Sequence, residues 1–223
     1  MTTRAVIFDL DGTLVDTAPD LMGATNHVLR LLKRRPISME EVRSFVGHGA
    51  KALIARGTAA TGDALDAKSL DYYHAEFLRY YEKNIAVHSA IFPGVVALLD
   101  RCKAEGFKMG VCTNKIEGLS VRLLNALDLA KYFGAVVGPD TISIAKPDPA
   151  PYFETLKRLD VTAQMSVMIG DSETDILTAR AANVPVIAVT FGYTPKPVAD
   201  YAPDYLVSHF DEIWDILNNG TFH

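Results

Sequence analysis

Val6-Ile7-Phe8-Asp9-Leu10-Asp11-Gly12-Thr13 is a short apolar run that ends in two carboxylates one residue apart and a Gly-Thr turn. A continuous apolar run of this length reads as a strand buried on both faces. Such a strand has no structural use for two acids at its carboxyl end unless a cation or a substrate compensates them. Asp-Gly is also a common turn signal, so the stretch alone reads equally well as a loop. A calcium loop of the D-x-[DN]-x-[DN]-G type does not fit, because Thr13 and Leu14 stand at the third-ligand and glycine positions.

The same arrangement recurs downstream, where Val167-Met168-Ile169 runs into Gly170-Asp171-Ser172-Glu173-Thr174-Asp175. Between the two, Val111-Cys112-Thr113-Asn114 sets a hydroxyl and an amide after a third apolar run. Ala145-Lys146-Pro147-Asp148-Pro149 presents a lysine held by the prolines that follow it, and a cis bond at Pro147 is one way to aim it. Ligands of open α/β sheets bind outside the carboxyl ends of the strands, so these four segments are expected to converge on one crevice.

After the strand at 4–8 the chain carries no strand signal from residue 16 to 84. Leu21, Val28, Leu29, Leu31 and Leu32 recur at helical spacing, Pro36 ends that helix, and Ser38 with Glu40-Glu41 suggests a capped restart. Further helices are expected over about 50–60 and 68–83. Lys33-Arg34-Arg35 reads as a cationic cap on the first of these helices. Beyond Pro93-Gly94, helices at 95–105, 119–127, 152–159 and 176–182 alternate with strands at 108–112, 135–137, 167–169, 186–190 and 205–207. That alternation predicts an α/β fold with a doubly wound parallel sheet. The sheet domain would comprise 1–15 and 85–223, interrupted by an inserted α-helical unit over 16–84.

Among the 223 residues, 49% hydrophobic and 22% charged content is ordinary for a globular chain, and a net charge of -5 argues against a nucleic-acid partner. Cys102 and Cys112 offer neither a disulfide framework nor a metal-ligand spacing and are expected to be reduced and structural. No apolar stretch approaches the roughly 18 residues of a membrane span. Together with an N-terminus that enters a strand directly, this suggests a cytoplasmic protein without a membrane partner. Asn219-Gly220-Thr221 reads as a chance sequon in a tail.

In order and over nearly the whole chain, the four segments resemble the motifs of the haloacid dehalogenase-like hydrolase superfamily. Asp9, Asp11 and Thr13 match the first motif, Thr113 the second, Lys146 the third, and Gly170-Asp171 with Asp175 the fourth. The resemblance implies a Rossmann-like core with a helical C1 cap, hinged near Thr17 and 85–89. It also implies a magnesium-dependent phosphomonoester hydrolase. Asp9 would be the nucleophile and form an aspartyl-phosphate. Asp11 would protonate the leaving oxygen and then activate water. Mg2+ would be held by Asp9, the Asp11 carbonyl and Asp171, with Asp175 orienting a bound water. Thr113, Asn114 and Lys146 would contact the phosphoryl group.

Phe45-Val46-Gly47-His48-Gly49-Ala50-Lys51 is a glycine-rich loop leading into a helix, readable as a plain turn or as an anion site. It lacks the Walker and dinucleotide spacings. It is similar to the specificity loop of phosphoglycolate phosphatases, which implies a small carboxylate-bearing phosphate ester as substrate, with His48 and Lys51 as its candidate contacts. Another small phosphate, such as a sugar phosphate or pyrophosphate, and a β-phosphoglucomutase-like phosphomutase stand as alternatives. A bare phosphate-binding module would need neither Asp9 nor Asp11, and a dehalogenase would not need Asp11. Tyr72, Tyr73, Phe77, Tyr80 and Tyr81 fall at helical spacing and fit either internal packing or weak self-association, hence a monomer or weak homodimer.

Overall fold

The first strand, β1 (Ala5–Phe8), is buried along its whole length. Val6 and Phe8 enter one apolar core while Ala5 and Ile7 enter another, because successive side chains point to opposite faces. The computed structural model describes residues 4–219, so Gly220 and Thr221 of the sequon lie outside the described residues. The chain continues through β2 (Val15–Asp16) and four helices, α1 (Ala18–Leu31), α2 (Met39–Phe45), α3 (Ala50–Thr61) and α4 (Ala67–Lys83). Next comes β3 (Ala90–Ile91), which pairs antiparallel with β2 just where the chain leaves and rejoins the sheet. This ladder was not anticipated, since two residues are too few to show a period.

From there helices and strands alternate as α5 (Val95–Ala104), β4 (Lys108–Cys112), α6 (Glu117–Ala126), β5 (Ala135–Val137) and α7 (Ala150–Leu159). The remainder is β6 (Ser166–Gly170), α8 (Glu173–Ala181), β7 (Val186–Val189), β8 (Tyr205–Val207) and α9 (Phe210–Asn219). Helix α9 was not expected; it sets Phe210, Ile213, Trp214 and Leu217 into the same core as Val6 and Phe8.

Six parallel strands form one sheet in the order β5-β4-β1-β6-β7-β8. The order reverses between β1 and β6, which is where an open sheet splays its connecting helices apart and leaves a crevice. One face carries α5, α6 and α9; the other carries α7 and α8. Cys102 and Cys112 are buried among these residues, and burial pushes both thiols up to about 12, so they remain protonated at neutral pH.

Helices α1 to α4 build a third core from Leu21, Val28, Leu29, Val42, Leu53, Ile54, Phe77 and Tyr81. Ser38 caps α2 through a reciprocal pair with Glu41. The basic run acts differently from the sequence reading. Helix α1 ends at Leu31, and Arg34 and Arg35 reach across to donate to the carbonyls of Thr58 and Ala60 at 2.7 and 3.0 Å. The cations therefore satisfy the carbonyl end of α3, not that of α1. The aromatic stripe of α4 is divided: Phe77 and Tyr81 are buried, Tyr80 stacks on His27 at 4.5 Å, and Tyr72 is exposed. No described helix is long and apolar enough to cross a membrane.

Leu99 on α5 is fully buried, whereas Leu31 at the end of α1 is 48% exposed despite sharing the apolar period of its helix. Leu99→Ala should therefore cost about 2–5 kcal/mol. Leu31→Ala should stay within about 0.5 kcal/mol of the parent. Urea unfolding of the two variants measures both.

Candidate active site

Register brings the motif residues together. Phe8 lies level with Val111 on one neighbour and Ile169 on the other, so Asp9, Thr113 and Asp171 leave three adjacent strands at one end of the sheet. The backbone N-H of Asp9 still donates to Ile169 O at 2.8 Å, and that of Thr113 to Val137 O at 3.0 Å. Gly12 then turns the chain with φ +88°, and a Cβ there would lie 2.5 Å from Asp171 Oδ2. Gly192, in the loop after β7, packs so closely that a Cβ would stand 2.1 Å from Asp171 Cβ.

Lys146 is buried at the centre. Its Nζ donates to Asp175 Oδ1 at 2.6 Å and stands 2.9 Å from Asp9 Oδ1, where the contact is an ion pair without hydrogen-bond alignment. Asp9 Oδ1 is thus a buried oxygen with no hydrogen bond among the described residues. The Lys146-Pro147 bond is cis, as the sequence suggested. Asp175 Oδ2 accepts from the backbone N-H groups of Asp171 and Ser172 and from Ser172 Oγ. Asp171 Oδ1 accepts from Thr13 Oγ1 at 2.8 Å, and Oδ2 from the backbone N-H of Tyr193 at 2.6 Å. Helix α8 begins only at Glu173, so Asp171 and Asp175 meet through the turn before the helix and not by sharing a helical face.

Asp11 faces a second lysine. Lys115 Nζ donates to its two oxygens at 3.0 and 3.1 Å and to Tyr81 Oη of α4 at 2.8 Å. Thr113 Oγ1 accepts from the Lys115 backbone N-H at 3.2 Å. Asn114 is a tie: Nδ2 donates to the carbonyls of Gly47 and Lys146, and Oδ1 accepts from the Lys146 N-H. A phosphate contact from its side chain would replace one of these bonds. Asp9, Asp11, Thr113, Asn114, Lys115 and Lys146 line one cavity of about 220 Å³ whose far wall includes His48, Phe77 and Tyr81. Lys51 stands at its edge, half-exposed, with its ammonium on Asp71. Burial and the charge of Arg56 hold the His48 imidazole below its ordinary value.

Four buried or nearly buried carboxylates (Asp9, Asp11, Asp171, Asp175) thus face two ammonium groups, leaving two negative charges unbalanced when all are ionised. Burial raises the Asp9 carboxyl to about 6 despite Lys146, and burial together with Asp175 and Asp9 raises Asp171 well above the usual range. Burial opposes the charge on Lys146, but Asp175 and Asp9 more than offset it and its pKa rises. Oxygens of Asp9, Asp171 and Asp175 lie within 4.8 Å of one another, a donor set that suits a hard divalent cation. With the Asp175 oxygens already taken by Lys146 and three hydrogen bonds, Asp9 and Asp171 have the ligand capacity to spare.

Two groups at this site escaped the sequence reading. Lys115 directly follows Thr113-Asn114, and its place in a strand-end loop was the available signal. Tyr193 had none, because its backbone meets Asp171 only through the fold.

The model for the haloacid dehalogenase-like hydrolase family matches residues 6–189. A phosphoglycolate phosphatase of Mesorhizobium japonicum is 41% identical over 213 residues, covering 96% of this chain and 94% of the relative. One from Caulobacter vibrioides is 44% identical over 208 residues, 93% of this chain and 88% of the relative. The crystal structure of a predicted phosphoglycolate phosphatase from Haemophilus somnus superposes with a TM-score of 0.91 at 29% identity, covering 97% of this chain and 99% of that one.

An Asp9 value of about 6 against an ordinary 3.8 means the folded protein holds this proton more tightly than the unfolded chain. Stability is therefore lost as pH rises from about 4 to 6 and stays reduced above that, by about 3 kcal/mol. In chelator at pH 7.5, Asp9→Asn should melt several degrees above the parent, and the gap should close below pH 4. A variant that melts no higher than the parent at pH 7.5 would contradict the burial penalty.

Proposed function

We propose that this chain, which belongs to the haloacid dehalogenase-like hydrolase family, is a magnesium-dependent phosphatase whose substrate is 2-phosphoglycolate or a close carboxylate-bearing analogue. The observation that carries the chemistry is the Asp9 carboxylate: buried, with one oxygen lacking a hydrogen bond, beside Lys146 and Asp171 on the floor of the cavity. A buried carboxylate in that state is poised to attack phosphorus once the negative charge around it is offset.

In this reading Asp9 attacks the phosphoryl group and becomes an aspartyl-phosphate while Asp11 delivers a proton to the departing oxygen. Asp11 then takes a proton from the water that cleaves the acyl phosphate, so one carboxyl serves both half-reactions. Lys146 and the Thr113 hydroxyl hold the phosphoryl oxygens, with Asn114 fixing the Lys146 backbone beside them. Mg2+, held by Asp9, the Asp11 carbonyl and Asp171, would supply the charge that lets an anionic nucleophile approach an anionic ester. Asp175 keeps Lys146 and the Asp171 loop in place.

Residues 16–84 form the cap in this proposal. The cavity lies between their side chains on one wall and the strand-end loops on the other, the placement that a lid excluding water requires. The crossover is tied at 85–89 by Asp20, whose carboxylate accepts from the N-H groups of His88 and Ser89 and from Ser89 Oγ at 2.7 Å. A volume of about 220 Å³ suits a leaving group of a few atoms, well below the roughly 300–1,000 Å³ of drug-sized sites. His48 and Lys51 border that space.

Phosphate release from 2-phosphoglycolate, ethyl phosphate, sugar phosphates and pyrophosphate, with Mg2+ or with chelator, tests the reading. We expect 2-phosphoglycolate to have the highest kcat/KM, and both chelator and Asp9→Asn to abolish turnover. Asp11→Asn should lower kcat by about 10²- to 10⁴-fold. A sugar phosphate at the top of the panel would overturn the substrate, and a phosphorylated product in place of free phosphate would make the protein a mutase. If crystal forms with and without a phosphate analogue share one angle between 16–84 and the sheet, the hinges near Thr17 and 85–89 are excluded.

A further inference from the structure

The cavity contains a cation for which hydrolysis as derived above has no task. Lys115, in the loop after β4, is buried, and its ammonium is gripped from two other segments, by Asp11 after β1 and by Tyr81 on α4. Resting on the reading of the substrate as a carboxylate-bearing phosphate ester, we propose that Lys115, steadied by Tyr81, receives the carboxylate of the leaving group and sets the preference for anionic esters.

Position is the first argument. Asp11 is the group that meets the leaving oxygen, and Lys115 Nζ lies 3.0 and 3.1 Å from its two oxygens. In a two-carbon leaving group the carboxylate carbon is two bonds from that oxygen, so a cation beside Asp11 is within its reach. The other cations lining the cavity are committed elsewhere. Lys146 lies between Asp9 and Asp175 at the phosphoryl end, and Lys51 is on Asp71 at the rim. His48 and His74 are held toward their neutral forms by burial, with the charge of Arg56 acting on the first and that of Lys51 on the second.

Valence and energy agree. An ammonium has three donors. Two near-equal contacts with Asp11 and one with the Tyr81 hydroxyl use all three, and since Asp11 is held by two of them, one can pass to an incoming carboxylate while Asp11 keeps the other. The ammonium also stands 4.4 Å from the Tyr81 ring centroid, and burial raises the phenol to about 12, so Tyr81 adds no competing charge at neutral pH. A buried ion pair is no gain in stability over apolar residues of the same volume. Asp11 is at this depth for its proton transfers, and stability gives Lys115 no reason to join it, whereas a task in recognition does.

The test uses the full chain with Mg2+ and two esters of matched size, 2-phosphoglycolate and ethyl phosphate, which differ by the carboxylate. In Lys115→Met both activities should fall, because Asp11 loses its partner. The ratio of the two kcat/KM values should fall by a further 30-fold or so, and Lys115→Arg should recover part of it. Glycolate should raise the melting temperature of the parent and of Lys115→Arg, but not of Lys115→Met. Equal losses on both esters would make Lys115 only a positioning residue for Asp11 and overturn the proposal, leaving the phosphatase reading intact. A parent enzyme that does not prefer 2-phosphoglycolate would instead defeat the substrate reading on which the proposal rests. If Lys115→Met does not fold, Tyr81→Phe carries the test: the ratio should drop by about 3-fold or more, and an unchanged ratio overturns the proposal.

Discussion

Two ammonium groups set among four carboxylates at the end of a parallel sheet are the constraint on which the rest of this structure depends. Charges that deep are tolerated only when paired and hydrogen-bonded. Nearly every feature around the crevice serves that need. Lys146 joins Asp9 to Asp175, Lys115 holds Asp11, and backbone N-H groups of Asp171, Ser172 and Tyr193 are spent on carboxylate oxygens. What stays unbalanced is concentrated on Asp9 and Asp171, the two acids whose carboxyls are pushed upward. The site is thus strained electrostatically just where a cation and a phosphoryl group would relieve it.

The helical block is joined to this cluster by polar contacts as well as by its own core. Asn114 binds the Gly47 carbonyl of the loop before α3, and Tyr81 reaches Lys115. Tyr193 donates its hydroxyl to Asp16 and accepts from the Ala18 N-H, while its backbone N-H holds Asp171. Position of the block and geometry of the acids are therefore linked through three side chains. Moving one against the sheet loosens contacts that also orient Asp11 and Asp171.

Much of this was legible beforehand. The run Val6–Phe8 and the alternation beyond Pro93 were enough for a doubly wound sheet, because buried parallel strands carry a continuous apolar signal. The carboxylates after strands and Lys146 just before Pro147 located the crevice. Weak signals failed: β2 and β3 are two residues each, and α9 came late in a segment read only as far as its strand. The run Lys33-Arg34-Arg35 was read against the nearest helix, whereas its guanidinium groups meet α3 and Glu41 across the fold.

By itself, the sequence determined the fold class and which polar residues gather at one end of the sheet, since both rest on local pattern: apolar period along elements, and acids just past strand ends. Only the tertiary structure decided how those residues are paired. Lys115 on Asp11, Asn114 between two carbonyls, Lys51 drawn away to Asp71 and Gly192 pressed against Asp171 are all contacts between distant segments. Their partners are set by strand register and by how helices cross, and no spacing along the chain encodes a distance between side chains that meet only after it folds.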